Sequence, residues 1–168
     1  MMRLTSCAFL GLALAGCVGE SPRSAERHAA AARDATFAGV QSRGAVAMGV
    51  DQYTSSHVFE PLADGGRIEL QRDAGDSVGV AQIRRHMQEI STRFAVGDFQ
   101  LPGFVHAHAV PGTDVMAARR AAITYSVESL PRGAAVRVRS ADPAAIEAIH
   151  QFLAFQRQDH HAAAHHDS

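Results

Sequence analysis

Lysine is absent from this chain, and all 16 basic side chains are arginine. That excludes a Schiff-base lysine and a lysine general base. The arginine bias is what a GC-rich genome writes. Cysteine is nearly absent as well. Cys7 and Cys17 both lie close to the start, so no thiol occurs from residue 18 onward. No disulfide can form there, and the domain has neither a cysteine nucleophile nor a thiolate metal ligand. It must hold together by packing. Net charge is only −1 at pH 7. No basic stripe is interleaved with aromatics, so nucleic-acid binding has no support. There is no phosphate loop and no dinucleotide fingerprint.

The N-terminus carries a recognisable signal. Arg3 precedes the apolar stretch Cys7-Ala8-Phe9-Leu10-Gly11-Leu12-Ala13-Leu14. That stretch is too short to anchor as a transmembrane helix, which needs about 20 apolar residues. It has the charged, apolar and small-residue regions of a secretory signal. Its ending, Leu14-Ala15-Gly16-Cys17, resembles the lipobox of bacterial lipoprotein signal peptides. The resemblance implies cleavage before Cys17, removal of residues 1–16, and acylation of Cys17 as the membrane anchor. The residues after it, Val18 and Gly19, include no aspartate retention signal. The resemblance therefore implies the periplasmic side of the envelope, with the outer membrane favoured over the inner.

About 150 residues follow the cut, enough for one domain with its own core. Residues 17–47 are rich in Ala, Gly and Ser and read as a lipid-anchored tether, with a weak helix over 25–35. The folded domain is expected over 48–159. Residues 53–60 suggest a strand, Asp64-Gly65-Gly66 a turn, and 67–71 a second, alternating strand. Asp76 or Ser77 caps a helix carrying Val80, Ile83, Met87, Ile90 and Phe94 at helical spacing, with Gly97 at its end. Residues 98–112 read as a loop, and 113–121 as a short helix. The order then repeats: strands over 123–127 and 136–139 about a turn at Pro131-Arg132-Gly133, then a helix capped by Asp142-Pro143 with Ile146, Ile149, Phe152 and Leu153 inward. Aligned on their turns, the units place Glu60 with Glu128, Leu62 with Leu130 and His57 with Tyr125. The pattern predicts an α+β fold: a two-layer sandwich of two hairpin-plus-helix units, with an antiparallel sheet and the helices on one face.

Ten histidines are the main chemical resource. His57 shares a strand face with Phe59. His86 flanks the apolar stripe of the first helix, and His150 falls on the stripe of the last. Three converging imidazoles with an open position would suit zinc or copper. His106 and His108 would share a face if their segment were extended, giving a half-site. The tail, 160–168, offers His160, His161, His165 and His166 as a loose site for zinc, copper or nickel. His28 has no assigned role. No catalytic residue stands out. Ser55 and His57 share a face without a nucleophile elbow. Ser91-Thr92-Arg93 matches the phosphate-binding tripeptide of transcarbamylases, but lies late in a helix in a chain too short for that two-domain enzyme.

Residues 48–161 resemble an uncharacterised family of small bacterial proteins. The resemblance rests on Met48-Gly49-Val50-Asp51-Gln52, His57-Val58-Phe59, Asp64-Gly65-Gly66 and the run from Ala148 to Gln156. It implies no activity. The reading with most support is a lipid-anchored envelope protein whose domain is a non-catalytic interaction or structural module with an envelope protein as partner. The competing reading is a transition-metal protein using His57, His86 and His150. Hydrolysis at a metal-bound water would further require an acid/base group, with Glu60 the nearest candidate.

Overall fold

A computed structural model describes residues 22–49 and 54–162. Cys17 with the whole signal, and His165 and His166, lie outside the described residues. The chain runs α1 (Pro22–Met48), β1 (Ser55–Leu62), β2 (Gly65–Arg72), α2 (Ser77–Ala95), α3 (Gln100–His106), α4 (Thr113–Ala118), β3 (Ile123–Leu130), β4 (Gly133–Ser140) and α5 (Pro143–Asp159). The four strands form one antiparallel sheet in the order β1-β2-β4-β3. Helices α2 and α5 pack on one face of it, so the fold is the expected α+β two-layer sandwich. Among the described residues no helix is long and apolar enough to cross a membrane.

The two units obey a common register. Ser55 pairs with Arg72 in the first hairpin and Ile123 with Ser140 in the second, a constant offset of 68. The central pairing of Ile68 with Val136 joins two positions related by that same offset, so a pseudo-dyad passes between them. The helices follow with an offset of 66, from the cap Asp76 to the cap Asp142. Each cap carboxylate accepts an amide N–H of the first turn, Gly79 at 2.7 Å and Ala144 at 3.0 Å. Such bonds satisfy donors that have no partner inside the helix.

The core lies between sheet and helices. Phe59, Ile68, Leu70, Val136, Val138 and Ile123 point down from the strands, and Ile83, Met87, Ile90, Phe94, Ile149, Phe152 and Leu153 meet them. Two glycines permit the central strands to approach. A Cβ on Gly65 would lie 2.3 Å from the Val138 carbonyl oxygen, and one on Gly133 would lie 2.0 Å from that of Leu70. These two contacts are dyad mates. The opposite face of the sheet is polar. Arg67 there bonds Glu128 and Glu69, and Arg137 donates to the Gly66 carbonyl (2.9 Å) and to Asp64.

Two expectations change here. The stretch read as tether is a 27-residue helix whose last turns, with Val40, Gln41, Gly44 and Met48 buried, belong to the packed fold. Arg43 fixes it by donating from Nε to the Val105 carbonyl at 2.6 Å. Small residues hid this face, because alanine and glycine give little apolar signal yet let helices approach closely. The segment read as loop over 98–112 contains α3, which ends where Ala107 turns left-handed at φ 60°.

Candidate functional site

Between the β1 edge of the sheet and the helices lies a pocket with about 570 Å³ of empty space, its open mouth included. α1 contributes Gly44, Ala47 and Met48, and α3 contributes Leu101, Pro102 and Val105. Phe59, Phe94 and Phe152 add aromatic faces. Four imidazoles interrupt this apolar wall: His57, His86, His106 and His160.

Each imidazole arrives by a different route. His57 is in β1 on the face of Phe59, and the two rings lie 5.8 Å apart. His86 is in α2, one position before the fully buried Met87. His106 ends α3 and is buried, with Nδ1 bonded to Asp159 and Nε2 to Gln156 at 2.9 Å. His160 is the C-cap residue of α5, and its ring stacks on His57 at 5.0 Å and meets His106 edge-on at 5.1 Å. The next residue, His161, stacks on Phe37 of α1 at 4.2 Å. The start of the expected tail is thus packed.

Burial governs the chemistry of these rings. It lowers His57 to a pKa of about 4, with the neighbouring His86 adding to the effect. Burial likewise lowers His86 to about 4, against a small opposing pull from Glu89. His160 is shifted in the same direction, first by burial and then by His57 and His106. Removing a cationic ring from water is costly, so the neutral form prevails at neutral pH. Nδ1 of His86 and Nδ1 of His160 are both buried without a hydrogen-bond partner.

The pseudo-dyad shows what the fold itself requires at these places. Position 57 maps on Tyr125, position 160 on Phe94 and position 156 on Ile90. In the β3 half, Phe94 meets Tyr125 edge-on at 6.0 Å, in a wholly aromatic contact. The β1 half closes the equivalent contact with two imidazoles. A phenyl–phenol pair suffices for the architecture there, with the Tyr125 hydroxyl itself buried without a hydrogen-bond partner, so two imidazoles at these places are an addition to it.

His150 is not part of this group. Its Nε2 is bonded to the Leu62 and Gly65 carbonyls, at 2.9 and 3.0 Å, across the β1–β2 turn. The dyad explains why. Arg84 of α2 clasps the other turn, donating from Nη2 to Leu130 O at 2.8 Å and from Nε to Gly133 O at 3.1 Å. His150 is the counterpart of Arg84, a clamp by which a helix holds a hairpin. His150→Ala is therefore expected to cost about 1–2 kcal/mol in urea unfolding, the scale of a lost hydrogen bond with orphaned acceptors, while leaving the pocket unchanged. An intact stability, or altered chemical shifts at His57, would contradict this assignment.

His106 and His108 lie near each other, with ring centroids 6.4 Å apart, but do not share a strand face. The left-handed Ala107 between them sends His106 inward and leaves His108 exposed, bonded through Nδ1 to the Ala109 carbonyl at 2.8 Å. The convergent set is thus His57, His86, His106 and His160, of which the sequence reading placed only His57 and His86 correctly together. Among the described residues no three His, Cys, Asp or Glu side chains are arranged to hold a metal ion. No family model, no curated protein and no solved structure matches the chain.

Proposed function

We propose that this is a lipid-anchored protein of the bacterial envelope whose α+β domain acts as a non-catalytic binding module, with the histidine-lined pocket as its working surface. The anchor reading rests on Leu14-Ala15-Gly16-Cys17. Pro22, the start of α1, follows Cys17 by five positions, so the anchor leads directly into the helix that closes the pocket. The lipid would hold the domain on the periplasmic side, by preference at the outer membrane. The binding reading is carried by one observation, the replacement of a phenyl–phenol contact in one half of the fold by paired imidazoles lining a pocket in the other. Among the described residues lining that pocket there is no hydroxyl, thiol or carboxylate side chain. Imidazoles held near a pKa of 4 are weak bases at neutral pH. Both facts favour binding over catalysis.

A second reading has its own support. Neutral imidazole is the form that ligates zinc or copper, and His57, His86 and His160 all offer it. The two readings part in one experiment. The chain is expressed in a bacterium with its own signal, and its membrane fraction and intact mass are compared with those of Cys17→Ser. The purified protein is then assayed for zinc, copper and nickel. The expected result is an acylated, membrane-bound protein, a released Cys17→Ser variant, and no stoichiometric metal that depends on His57 and His160. An unacylated wild type would remove the anchor. Near-stoichiometric metal lost in His57→Ala/His160→Ala would replace the binding module with a metal protein.

A further inference from the structure

The pocket's lining restricts what it can hold. None of the described lining residues is Asp, Glu, Lys or Arg. A charged group brought among them would lose its hydration with no counter-ion in return. Asp159, the nearest carboxylate to the imidazole group, is already engaged by His106. The wall is nonetheless not uniformly apolar. The buried Nδ1 atoms of His86 and His160 lack partners. Three phenyl rings and two stacked imidazoles line the same space and favour a flat guest.

From these features we infer that the pocket binds an uncharged, predominantly apolar small molecule that carries an aromatic ring. This rests on the binding-module reading above. It specifies the ligand as neutral, which a general binding module does not require.

The test uses two fluorescent probes that differ in one charge: phenylnaphthylamine, which is neutral with a single N–H, and anilinonaphthalenesulfonate, which adds a sulfonate to the same rings. The protein is residues 18–168, within which all the described elements and their packing contacts lie. At pH 7.5 the neutral probe is expected to bind one to one, at least about tenfold more tightly than the sulfonate. Ala47→Phe, which projects a ring into the pocket from α1, is expected to abolish binding. His150→Ala is the control that lowers stability without touching the pocket, and its binding is expected to match wild type. Equal or tighter binding of the sulfonate would overturn the neutral-ligand assignment but leave a binding pocket standing. Binding of neither probe, or binding indifferent to Ala47→Phe, would overturn both the assignment and the module.

Discussion

Replacing His57 and His160 by phenylalanine is expected to stabilise the protein in mild acid by at least about 2 kcal/mol at pH 5. The double variant gives the β1 half the kind of contact that Phe94 and Tyr125 already make in the other half. The sign of the effect follows from proton linkage. His57 and His86 have folded pKa values of about 4, below the 6.5 of an unfolded chain, and His160 is lowered too. As pH falls from 6.5 toward 4 the unfolded chain takes up protons that the folded chain refuses. Stability is therefore complete above about 6.5 and is lost across that window. A shift of one pKa unit corresponds to about 1.4 kcal/mol, so each of the two rings near 4 costs at most roughly 3 kcal/mol. Release of the last turn of α5 would hydrate His57 and His160 together without global unfolding, and this opening caps the total.

The measurement is urea unfolding between pH 4.5 and 7.5. Wild type is expected to lose stability with a proton uptake approaching three, and the double variant with about one, left by His86. The carboxylates of Asp64, Asp76 and Asp142 do not blur the window. They are held below their usual 3.8 by Arg137, the Gly79 amide and Arg119 respectively. Their contribution is lost only as pH falls through 3.8 and below. Parallel curves for the two proteins would refute the buried-imidazole account.

Gly133→Ala is expected to destabilise the fold by about 3 kcal/mol or more. The added Cβ would lie 2.0 Å from the Leu70 carbonyl oxygen and 3.0 Å from the Gln71 Cα, both of them backbone atoms of β2. Backbone in the middle of a sheet cannot swing aside as a long side chain does, so β2 and β4 must separate at that point. The same variant also disturbs the Gly133 carbonyl that Arg84 holds. Gly75 is the internal control, since a Cβ there would meet nothing within 4 Å. Thermal melts of Gly133→Ala and Gly75→Ala should differ by more than 10 °C for a domain of this size, given a shift of several degrees per kcal/mol. Equal melting temperatures would mean that the central pairing is looser than its register implies.

Much of the architecture could be read from the sequence because it is written in strong local signals. The stripe from Val80 to Phe94, the caps Asp76 and Asp142, and the alternation around Asp64-Gly65-Gly66 and Pro131-Arg132-Gly133 lie where the elements form. The α1 packing was not legible, because Gly44 and alanines mark no apolar stripe. The site was half legible. His57 and His86 were found from strand and helix periodicity. His150 occupies a boundary angle on α5, and only the tertiary clasp of the β1–β2 turn decides its direction. His160 was read with the tail because it follows the last apolar residue of α5. Its signal was present in the repeat: aligning the helices on their aspartate caps sets His160 on Phe94, a core position. The turn-based alignment of the strands does not reach that far.

The central claim is that one half of a pseudo-symmetric fold keeps neutral imidazoles in an apolar pocket. NMR titration of the histidine ring carbons from pH 8 downward tests it most directly. His57 and His86 are expected to remain neutral well below pH 6, with midpoints near 4, while a solvated imidazole titrates near 6.5. Midpoints of 6 to 7 for both rings in the folded protein would contradict the claim, because such rings would be solvated and the pocket would not exist as described.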